Sequence, residues 1–394
     1  MPNIRRSFRS LAERHRRKYM TGERQFRHHM IREIFEQPRG LRDTIAPRVS
    51  LEQGRVVLEE VRMSADEIRA LHRINIVASG TSRHAGMAGQ YMIQELSGVP
   101  VDVDYASEFE YRNPLTGPGE LAILITQSGE TADTTGALRE AKAKGSRTIA
   151  ISNVIGSTIA REAEFVMYTN AGPEISIAST KAFTAQMAVL YLFALFVAQA
   201  RGKLNQEQIR QHIRELLELP AKTERVLESA EQCEALADKY HSTEDFLFLG
   251  RAVHYPVAMD GALKLKEVSY VHAEGYPTGE TKHGPNALID ETLPVVILAT
   301  CDRNDAGSVL RYEKTVANIE GFKKQGSPVI AITTEGDYKV AGVADHTISI
   351  PPTPELLSPI LEMVPLQLFA YYMAVKRGLD VDRPRNLTKS VTVE

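Results

Sequence analysis

Residues 75–80 read NIVASG and residues 121–126 read LAILIT, two apolar runs that end in a glycine and a threonine. Each run precedes a stretch of helical character, which predicts buried parallel strands covered by helices on both faces. The pattern returns later in the chain, as DFLFLG at residues 245–250 and PVVILAT at residues 294–300. We therefore predict an α/β protein in which a parallel sheet occurs twice.

The repeat extends beyond these strands. Residues 143–152 (AKGSRTIAIS) are matched by residues 324–333 (KQGSPVIAIT), each a helix end, a Gly-Ser turn and a buried strand. Both units then close with a long apolar helix. Because the repeat spans whole domains, it differs from the short units of a solenoid.

The segments around the two units divide the chain into five parts. We predict a helical arm at residues 1–60, a first domain at 61–205, a helical connector at 206–239, a second domain at 240–378 and a tail at 379–394. The connector is charged, with apolar residues at helical spacing. The tail has little periodicity, which is typical of an extended segment.

The composition is that of a soluble globular protein, with 43% apolar and 25% charged residues. The formal net charge of −3 creates no strong field, so it argues against nucleic acid or an anionic membrane as the main partner. Only residues 1–27 are rich in arginine. We interpret them as a solvated helix or an oligomer contact, with a nucleic-acid arm as the alternative.

The cysteine content and the length of the apolar runs indicate the cellular compartment. Cys233 and Cys301 lack metal-ligand spacing and cannot build a disulfide framework, which favours a reducing cytoplasm. The longest apolar run, residues 187–198, is shorter than the roughly 20 residues that cross a bilayer, so it predicts a buried helix. We predict no metal, no cofactor and no membrane span.

Two Ser/Thr-rich turns directly follow strands of the first unit: GTS at residues 80–82 and TQSGET at residues 126–131. At the carboxyl ends of parallel strands, turn amides and helix N-termini point at an anion. Neither turn contains the lysine of a P-loop or a G-x-G-x-x-G motif, so the turns indicate a phosphate rather than a nucleotide. The alternative is that these hydroxyls only cap the following helices.

Five motifs follow one another along the chain: QSGETADT (127–134), PEISIASTKAFT (173–184), ALKLKEVSYVHAE (262–274), KHGP (282–285) and NLTKSVTVE (386–394). Together they closely resemble the glucosamine-6-phosphate synthase (glutamine:fructose-6-phosphate aminotransferase) family. The likeness runs from FRHHMIREIFEQP (26–38) to residue 394 and covers the isomerase half of that family. It implies two tandem flavodoxin-like sugar isomerase (SIS) domains.

The resemblance also implies a substrate, a hexose 6-phosphate, and the residues that bind it. The sugar phosphate would be held by Ser82, Thr126, Gln127, Ser128 and Thr131. The sugar hydroxyls would be bound by Ser179 and by the backbone of Ile177 and Ala178. Such enzymes complete the active site with a second subunit, so a homodimer is implied.

Four further residues are implied as catalytic: Lys264, Glu267, His283 and Lys389. Glu267 would carry a proton between C2 and C1, while Lys264, three residues earlier, would stabilise the developing oxyanion. The residues alone favour a structural helix ion pair, and the resemblance favours the catalytic role instead. The resemblance implies that His283 opens the sugar ring across the subunit interface and that Lys389 forms a Schiff base with the C2 carbonyl of fructose 6-phosphate.

Some positions depart from the family pattern. Thr126 stands where serine is usual, Asp260 where glutamate is common, and TKHGPN (281–286) where LKHGPL is common. None of these changes removes a group that the chemistry requires. We expect no glutaminase half, because the isomerase half begins about 25 residues after Met1, so ammonia or a separate glutaminase would supply the nitrogen.

Three functions remain open from the sequence. The first is an isomerising, ammonia-dependent synthase of glucosamine 6-phosphate, or a simple isomerase of fructose 6-phosphate. The second is a glucosamine-6-phosphate deaminase that runs the same chemistry backwards. The third is a non-catalytic sugar-phosphate sensor, which is disfavoured because all four catalytic candidates are present and the arm has no clear helix-turn-helix.

Overall fold

A computed structural model describes residues 26–392 of the chain. Most of the Arg-rich stretch 1–27 therefore lies outside the described residues. The segment before the first sheet is built from short elements. They are helices α1 (His29–Phe35), α2 (Gln37–Ile45) and α3 (Ala65–Ala70), the 3-10 turn Ala46–Arg48, and antiparallel strands β1 (Val49–Ser50) and β2 (Arg55–Val56).

The first parallel sheet has five strands. They are β3 (Arg73–Ala78), β4 (Val101–Tyr105), β5 (Glu120–Ile125), β6 (Arg147–Ser152) and β7 (Phe165–Tyr168). Their order is β4-β3-β5-β6-β7, the flavodoxin-like order. In β3, β5 and β6 every residue after the first is buried, because helices cover both faces of the sheet.

Helices of the first unit pack on this sheet. They are α4 (Gly80–Ser97), α5 (Ala106–Phe109), α6 (Ala132–Ala143), α7 (Thr158–Glu162) and α8 (Lys181–Ala200). The helix α4 follows β3, and α6 follows β5. The N-termini of α4 and α6 therefore meet at the carboxyl edge of the sheet.

Two helices connect the units: α9 (Gln206–Val226) and α10 (Ala230–Tyr240), joined by the 3-10 turn Leu227–Ser229. A capping box starts α9, since Asn205 accepts from the N–H of Gln208 and the Gln208 side chain accepts from the N–H of Asn205. Ile209, Ile213 and Leu216 are buried along one face of α9. This face packs the connector onto the rest of the protein.

The second parallel sheet repeats the first. Its strands are β8 (Asp245–Gly250), β9 (His272–Pro277), β10 (Val295–Ala299), β11 (Val329–Thr334) and β12 (His346–Ile350). Their order is β12-β11-β10-β8-β9, with all pairs parallel. Read from the other edge, this is the order of the first sheet, so the predicted α/β class with a duplicated parallel sheet is confirmed.

The helices of the second unit complete the fold. They are α11 (Tyr255–Ser269), α12 (Ala306–Lys324), α13 (Tyr338–Ala341) and α14 (Ser358–Lys376), with 3-10 turns at Ala252–His254, Thr278–His283, Pro285–Leu288 and Glu355–Leu357. One apolar core contains residues of both units, including Leu190 of α8 and Phe369 of α14. The helices α4 and α11 contact each other, so the two units share a packed interface.

Within residues 26–392, two segments are long and apolar enough to cross a membrane by length and composition: Lys181–Ala200 and Glu355–Lys376. Inside the protein, 89% and 94% of their apolar windows are buried. Both are core helices of their units. The predicted buried helix at residues 187–198 is the central part of α8.

Candidate active site

The turn between β3 and α4 contains the first predicted phosphate ligand. Ser82 lies in the first turn of α4 and is 9% exposed. Its Oγ accepts a hydrogen bond of 3.0 Å from Nε2 of Gln186, a buried residue of α8. The core helix of the first unit thus fixes the orientation of this hydroxyl.

The turn between β5 and α6 contains the other four predicted phosphate ligands. Thr126 Oγ1 and Thr131 Oγ1 lie 3.0 Å apart, and Thr126 Oγ1 accepts from the N–H of Gly129 at 3.3 Å. Ser128 Oγ accepts from the N–H of Glu130 at 3.2 Å, and Gln127 accepts through its carbonyl from the N–H of Asn153 at 3.1 Å. The turn therefore arranges its hydroxyls around the start of α6.

The helix α6 begins at Ala132, and Thr131 makes no side-chain cap. An uncapped helix N-terminus beside hydroxyl groups suits an anion, because the amide N–H groups carry partial positive charge. The structure brings Thr126, Ser128 and Thr131 into this one turn, as the sequence indicated.

The second unit has a different residue at the corresponding place. Thr300 follows β10 as Thr126 follows β5, but α12 begins behind Asp305, whose carboxylate accepts from the N–H groups of Gly307 and Ser308 at 2.9 Å each. Arg311 pairs with Asp305 at 3.1 Å. A carboxylate of the protein thus occupies the anion position. In the first unit, by contrast, no side chain caps the start of α6.

The core helix of the second unit also differs at a corresponding position. Gln186 in α8 and Glu362 in α14 stand at the same spacing before an Arg-Gly pair. Gln186 donates to Ser82, whereas Glu362 is fully buried, lies 2.8 Å from Nδ1 of His254 and accepts from the hydroxyl of Thr300. Glu362, which corresponds in the second unit to Gln186 of the first, is thus part of a buried ion cluster.

His254 is the cation of that cluster. Its Nε2 lies 3.4 Å from Glu355, which also pairs with Arg311. Burial alone would lower the pKa of His254, but the carboxylates of Glu362 and Glu355 outweigh burial and raise it to about 10. Burial would likewise raise the pKa of Glu355, but His254 and Arg311 bring it down to about 2.

We expect His254→Gln to lower the free energy of unfolding by about 3 kcal/mol at pH 6.5, because the buried carboxylate of Glu362 loses its cation and Glu355 keeps only Arg311. A histidine whose pKa is raised by folding stabilises fully below its unfolded pKa of about 6.5, and this contribution is lost as pH rises through about 10. The difference between wild type and variant should therefore shrink from pH 6.5 to pH 9.5. Urea denaturation across this range measures it.

The matched control is His241→Gln, since His241 is an exposed histidine at the end of α10. Its effect on the free energy of unfolding should be small and should not vary over the same pH range. A difference for His254→Gln that stays constant or grows with pH would contradict the charged-histidine assignment.

The turn that precedes α8 binds the lysine of the tail. Glu174 has a fully buried side chain and accepts from the N–H groups of Thr180 at 2.9 Å and Ala182 at 3.1 Å. The Nζ of Lys389 donates to Glu174 at 2.8 Å and to the carbonyl of Ser176 at 2.7 Å. Burial would raise the pKa of Glu174, but the Lys389 ammonium and the backbone donors lower it.

The predicted sugar-binding residues lie in the same turn. Ala178 is buried, and Ile177 and Ser179 are partly exposed. The N–H of Ile177 donates to the carbonyl of Asp382 in the tail at 3.2 Å. In this conformation the tail therefore occupies one of the backbone groups that the resemblance assigned to the sugar.

The tail crosses from the second unit to the first. The N–H of Arg385 donates to the hydroxyl of Tyr270 at 2.7 Å, and farther on the carbonyl of Val391 accepts from the N–H of Ala132 at 3.1 Å. Asp382 accepts from the N–H groups of His29 and Met30 at 2.8 Å each. Contacts with both units and with α1 bring Lys389 to the first unit.

Two further catalytic candidates, Lys264 and Glu267, lie on α11. Lys264 is fully buried, and its Nζ pairs with Oε2 of Glu267, which is 21% exposed. Burial would lower the pKa of Lys264, but Glu267, Asp260 and Glu174 outweigh burial and raise it, so this lysine remains an ammonium. Because Glu174 acts on both Lys264 and Lys389, the turn before α8 links the helix pair to the tail.

Two features of this region were not predicted from the sequence. Glu174 was quoted within a motif but given no role. Asp260 was noted only as a departure, yet its Oδ1 lies 3.0 Å from Nδ1 of His84, so this contact joins α11 to α4. The signal for Glu174 was its position three residues before the predicted sugar-binding Ile177.

His283 lies apart from the other candidates. It ends the turn Thr278–His283 and is exposed. It lines a groove with Tyr255, Glu274, Tyr276 and Glu280, and none of Lys264, Glu267 and Lys389 lines that groove. Within one chain the structure brings Lys264, Glu267, Glu174 and Lys389 into one region and leaves His283 outside it.

The duplicated sheets agree with a family assignment. A family model described as the SIS domain matches the chain twice, at residues 67–196 and 239–377. The chain belongs to the SIS domain family. Each matched stretch of this SIS protein contains one complete five-stranded sheet.

Individual relatives narrow the comparison. A glutamine–fructose-6-phosphate aminotransferase (isomerizing) from Chlorobaculum tepidum is 49% identical over 369 residues, which are 94% of this chain and 59% of that relative. The solved C-terminal domain of glucosamine-fructose-6-phosphate aminotransferase from Francisella tularensis is 35% identical with a TM-score of 0.84, over 91% of this chain and 99% of that domain. This SIS protein is therefore homologous to the C-terminal, isomerase half of that aminotransferase.

Two further facts concern the coverage and the identity of these relatives. The chain spans 59% of the length of the curated relatives it matches. A glucosamine-6-phosphate deaminase from Thermotoga maritima aligns over 92% of this chain and 99% of its own with a TM-score of 0.68, but at 21% identity. The second likeness demonstrates a common fold alone.

Proposed function

We propose that this SIS protein interconverts fructose 6-phosphate and glucosamine 6-phosphate, as the isomerase half of an isomerising aminotransferase. The observation that carries the proposal is the contact of Lys389 Nζ with Glu174 at 2.8 Å. This contact puts the tail amine beside the turn before α8. That turn belongs to the first unit, whose candidate phosphate turn at residues 126–131 has no side-chain cap on α6. The named activity of the Chlorobaculum tepidum relative supports the same reaction.

Substrate binding begins with the phosphate. The phosphate ligands we propose share one edge of the first sheet: Ser82, Thr126, Gln127, Ser128 and Thr131. Their hydroxyl and amide groups, together with the N-terminus of α6, would neutralise the dianion. Ser179 and the backbone of Ile177 and Ala178 would then bind the sugar hydroxyls, once the tail releases the N–H of Ile177.

Ring opening requires a proton donor and acceptor near neutral pH, which an imidazole provides. We assign this role to His283. Because His283 lies in a separate groove of its own chain, we propose that it acts in the site of a second copy. This SIS protein would then work as a homodimer with shared active sites.

Lys389 would supply the covalent step. Its neutral amine attacks C2 of open-chain fructose 6-phosphate, and the carbinolamine loses water to leave an imine. Glu174 is placed to accept the proton that the ammonium must first release, since the two atoms lie 2.8 Å apart. Ammonia then displaces the lysine at C2, so the nitrogen enters the sugar and Lys389 leaves as the free amine.

Glu267 would move the proton that completes the isomerisation. As a carboxylate, it removes the proton from one of C1 and C2 and returns it to the other. The buried ammonium of Lys264, three residues earlier on α11, would stabilise the enolate-like oxygen that develops meanwhile. This arrangement leaves Glu267 partly exposed to substrate while Lys264 stays buried.

Nitrogen source and direction belong to the same proposal. We propose ammonia as the direct nitrogen donor, from solution or from a separate glutaminase, and the cytoplasm as the compartment. A deaminase would use the same groups in reverse. The two directions therefore differ in conditions rather than in any residue described above.

Three incubations of the purified protein with product analysis test the proposal: fructose 6-phosphate with ammonia, fructose 6-phosphate alone, and glucosamine 6-phosphate alone. We expect glucosamine 6-phosphate from the first and glucose 6-phosphate from the second. If turnover occurs only in the third incubation and yields fructose 6-phosphate and ammonia, this result would favour the deaminase. No turnover in any arm, together with measurable binding, would identify a sugar-phosphate sensor.

Gly129 gives a sharper test of the phosphate turn. Its φ is +70°, and a Cβ at this position would overlap the side chain of Ser157. We expect Gly129→Ala to distort the turn and weaken fructose 6-phosphate binding at least about tenfold, which is about 1.4 kcal/mol. Isothermal titration calorimetry measures this change.

Gly156→Ala is the matched control. Gly156 has a φ of +73°, and nothing lies within 4 Å of a Cβ built there, so it shares the backbone strain without the overlap. We expect it to bind fructose 6-phosphate within about threefold of wild type. Equal affinities of the Gly129 and Gly156 variants would remove the turn from the binding site.

A further inference from the structure

Glu33 is a buried carboxylate outside both matched SIS stretches. It lies on α1, and its side chain is fully buried. Its Oε1 accepts from the N–H of Ile175 at 2.5 Å, and the N–H of Ser176 lies 3.3 Å from Oε2 and 3.4 Å from Oε1. One carboxylate of the N-terminal segment thus binds two successive amides of the turn before α8.

That turn is the one that receives Lys389. Ser176 gives its N–H to Glu33 and its carbonyl to Nζ of Lys389, the latter at 2.7 Å. Glu174, the residue before Ile175, accepts from the same Nζ. Glu33 therefore holds, from the opposite side, the peptide groups that place both acceptors of the lysine.

The charges around Glu33 come from three other segments. Glu174 faces it from the turn, Lys389 from the tail and Lys181 from the start of α8. Lys181 is already paired with Glu36 at 2.6 Å. Lys389 of the tail therefore balances the charge of Glu174. When Glu33 is ionised, Lys389 also faces the charge of Glu33.

We propose that Glu33 is a positioning residue for the Lys389 amine: it fixes the 174–176 turn and, through its charge, controls how readily that lysine gives up its proton. This inference rests on the proposed function, because it needs Lys389 to react as a free amine. Glu33 touches neither substrate nor lysine in this role. It acts through Ser176 and Glu174.

The pKa of Glu33 supports a role near neutral pH. Burial raises it, the N–H of Ile175 opposes this effect, and Glu174 adds to it, so that the pKa reaches about 7. Below this pH Glu33 is neutral, and Lys389 balances Glu174 alone. Above it Glu33 adds a second negative charge beside Glu174 and close to Lys389, and this charge opposes the proton release that the proposed imine step requires.

Two variants of the full chain separate geometry from charge. Glu33→Ala removes the acceptor for both amides, and we expect kcat with fructose 6-phosphate and ammonia to fall by about 10–100-fold, while KM changes by less than about threefold. Glu33→Gln keeps an acceptor oxygen but has no charge. It should restore most of the kcat lost in Glu33→Ala.

The pH profile of Glu33→Gln is the decisive measurement. Because its amide cannot ionise, the ratio of kcat at pH 8.5 to kcat at pH 6.5 should exceed that of wild type by about threefold to tenfold. The same shift should appear in the rate at which borohydride traps fructose 6-phosphate on Lys389, read by mass spectrometry. A merely structural role would leave both pH dependences unchanged.

Glu60→Gln is the control for loosening the same segment. Glu60 accepts from Nε of Arg48 at 2.7 Å rather than from the 174–176 turn, so its variant should keep the wild-type pH profile. Wild-type pH dependence of Glu33→Gln would overturn the inference, whether or not Glu33→Ala folds. Activity of Lys389→Ala would instead overturn the proposed function, so the two failures are distinguishable.

Discussion

Lys389→Ala is expected to lower kcat for the conversion of fructose 6-phosphate by about 10³-fold or more, because the variant lacks the amine that we propose forms the imine. The side chain is 25% exposed, and its Nζ lies between the carboxylate of Glu174 and the carbonyl of Ser176. These contacts hold the amine but leave it accessible to substrate. Steady-state kinetics and borohydride trapping measure the loss.

Lys389→Arg is the matched control for charge. It preserves a cation beside Glu174, so it avoids leaving a buried carboxylate unpaired, which alone would destabilise the turn. A guanidinium does not deprotonate in a protein and so cannot form the imine. Both variants should be inactive, and an active arginine variant would reduce Lys389 to an electrostatic role.

Glu267→Gln should lower kcat for isomerisation by about 10²–10⁴-fold, the usual contribution of a positioned base. An amide cannot accept the proton from C1 or C2. The phosphate turn is untouched, so KM should change little. Proton exchange into fructose 6-phosphate in heavy water, followed by NMR, isolates this step from imine formation.

The control is Glu320→Gln, an exposed carboxylate on α12. It should leave the exchange rate unchanged. Exchange by Glu267→Gln within tenfold of wild type would exclude Glu267 as the base. Glu267→Gln also removes the carboxylate that pairs with Lys264. The melting temperature of the variant should therefore be measured as well, to separate a loss of chemistry from a loss of stability.

Local patterns were sufficient to predict the sheets and the place of the Ser/Thr-rich turn at residues 126–131. The run at residues 121–126 supplies nearly all of β5, and the TQSGET turn directly follows it. The strand and the turn are both determined by residues that are close together in the sequence, so the sequence alone is enough to predict them.

The buried carboxylates were not predictable in this way. Glu174 and Lys389 are separated by 215 positions, so nothing near Glu174 indicates that a cation compensates its burial. Glu33 lies in a charged segment and would be taken for a solvated residue, yet its partners are the amides of Ile175 and Ser176. Their burial is a property of the tertiary fold.

The path of the tail has a consequence for how the enzyme is made. Every strand of both sheets precedes Lys389 in the chain, and domains tend to fold in order as the ribosome releases them. Both scaffolds can therefore finish folding before Lys389 emerges. Until the tail has bound α1 and Tyr270, a newly synthesised molecule holds the 126–131 turn but lacks the contacts that place Lys389 beside Glu174.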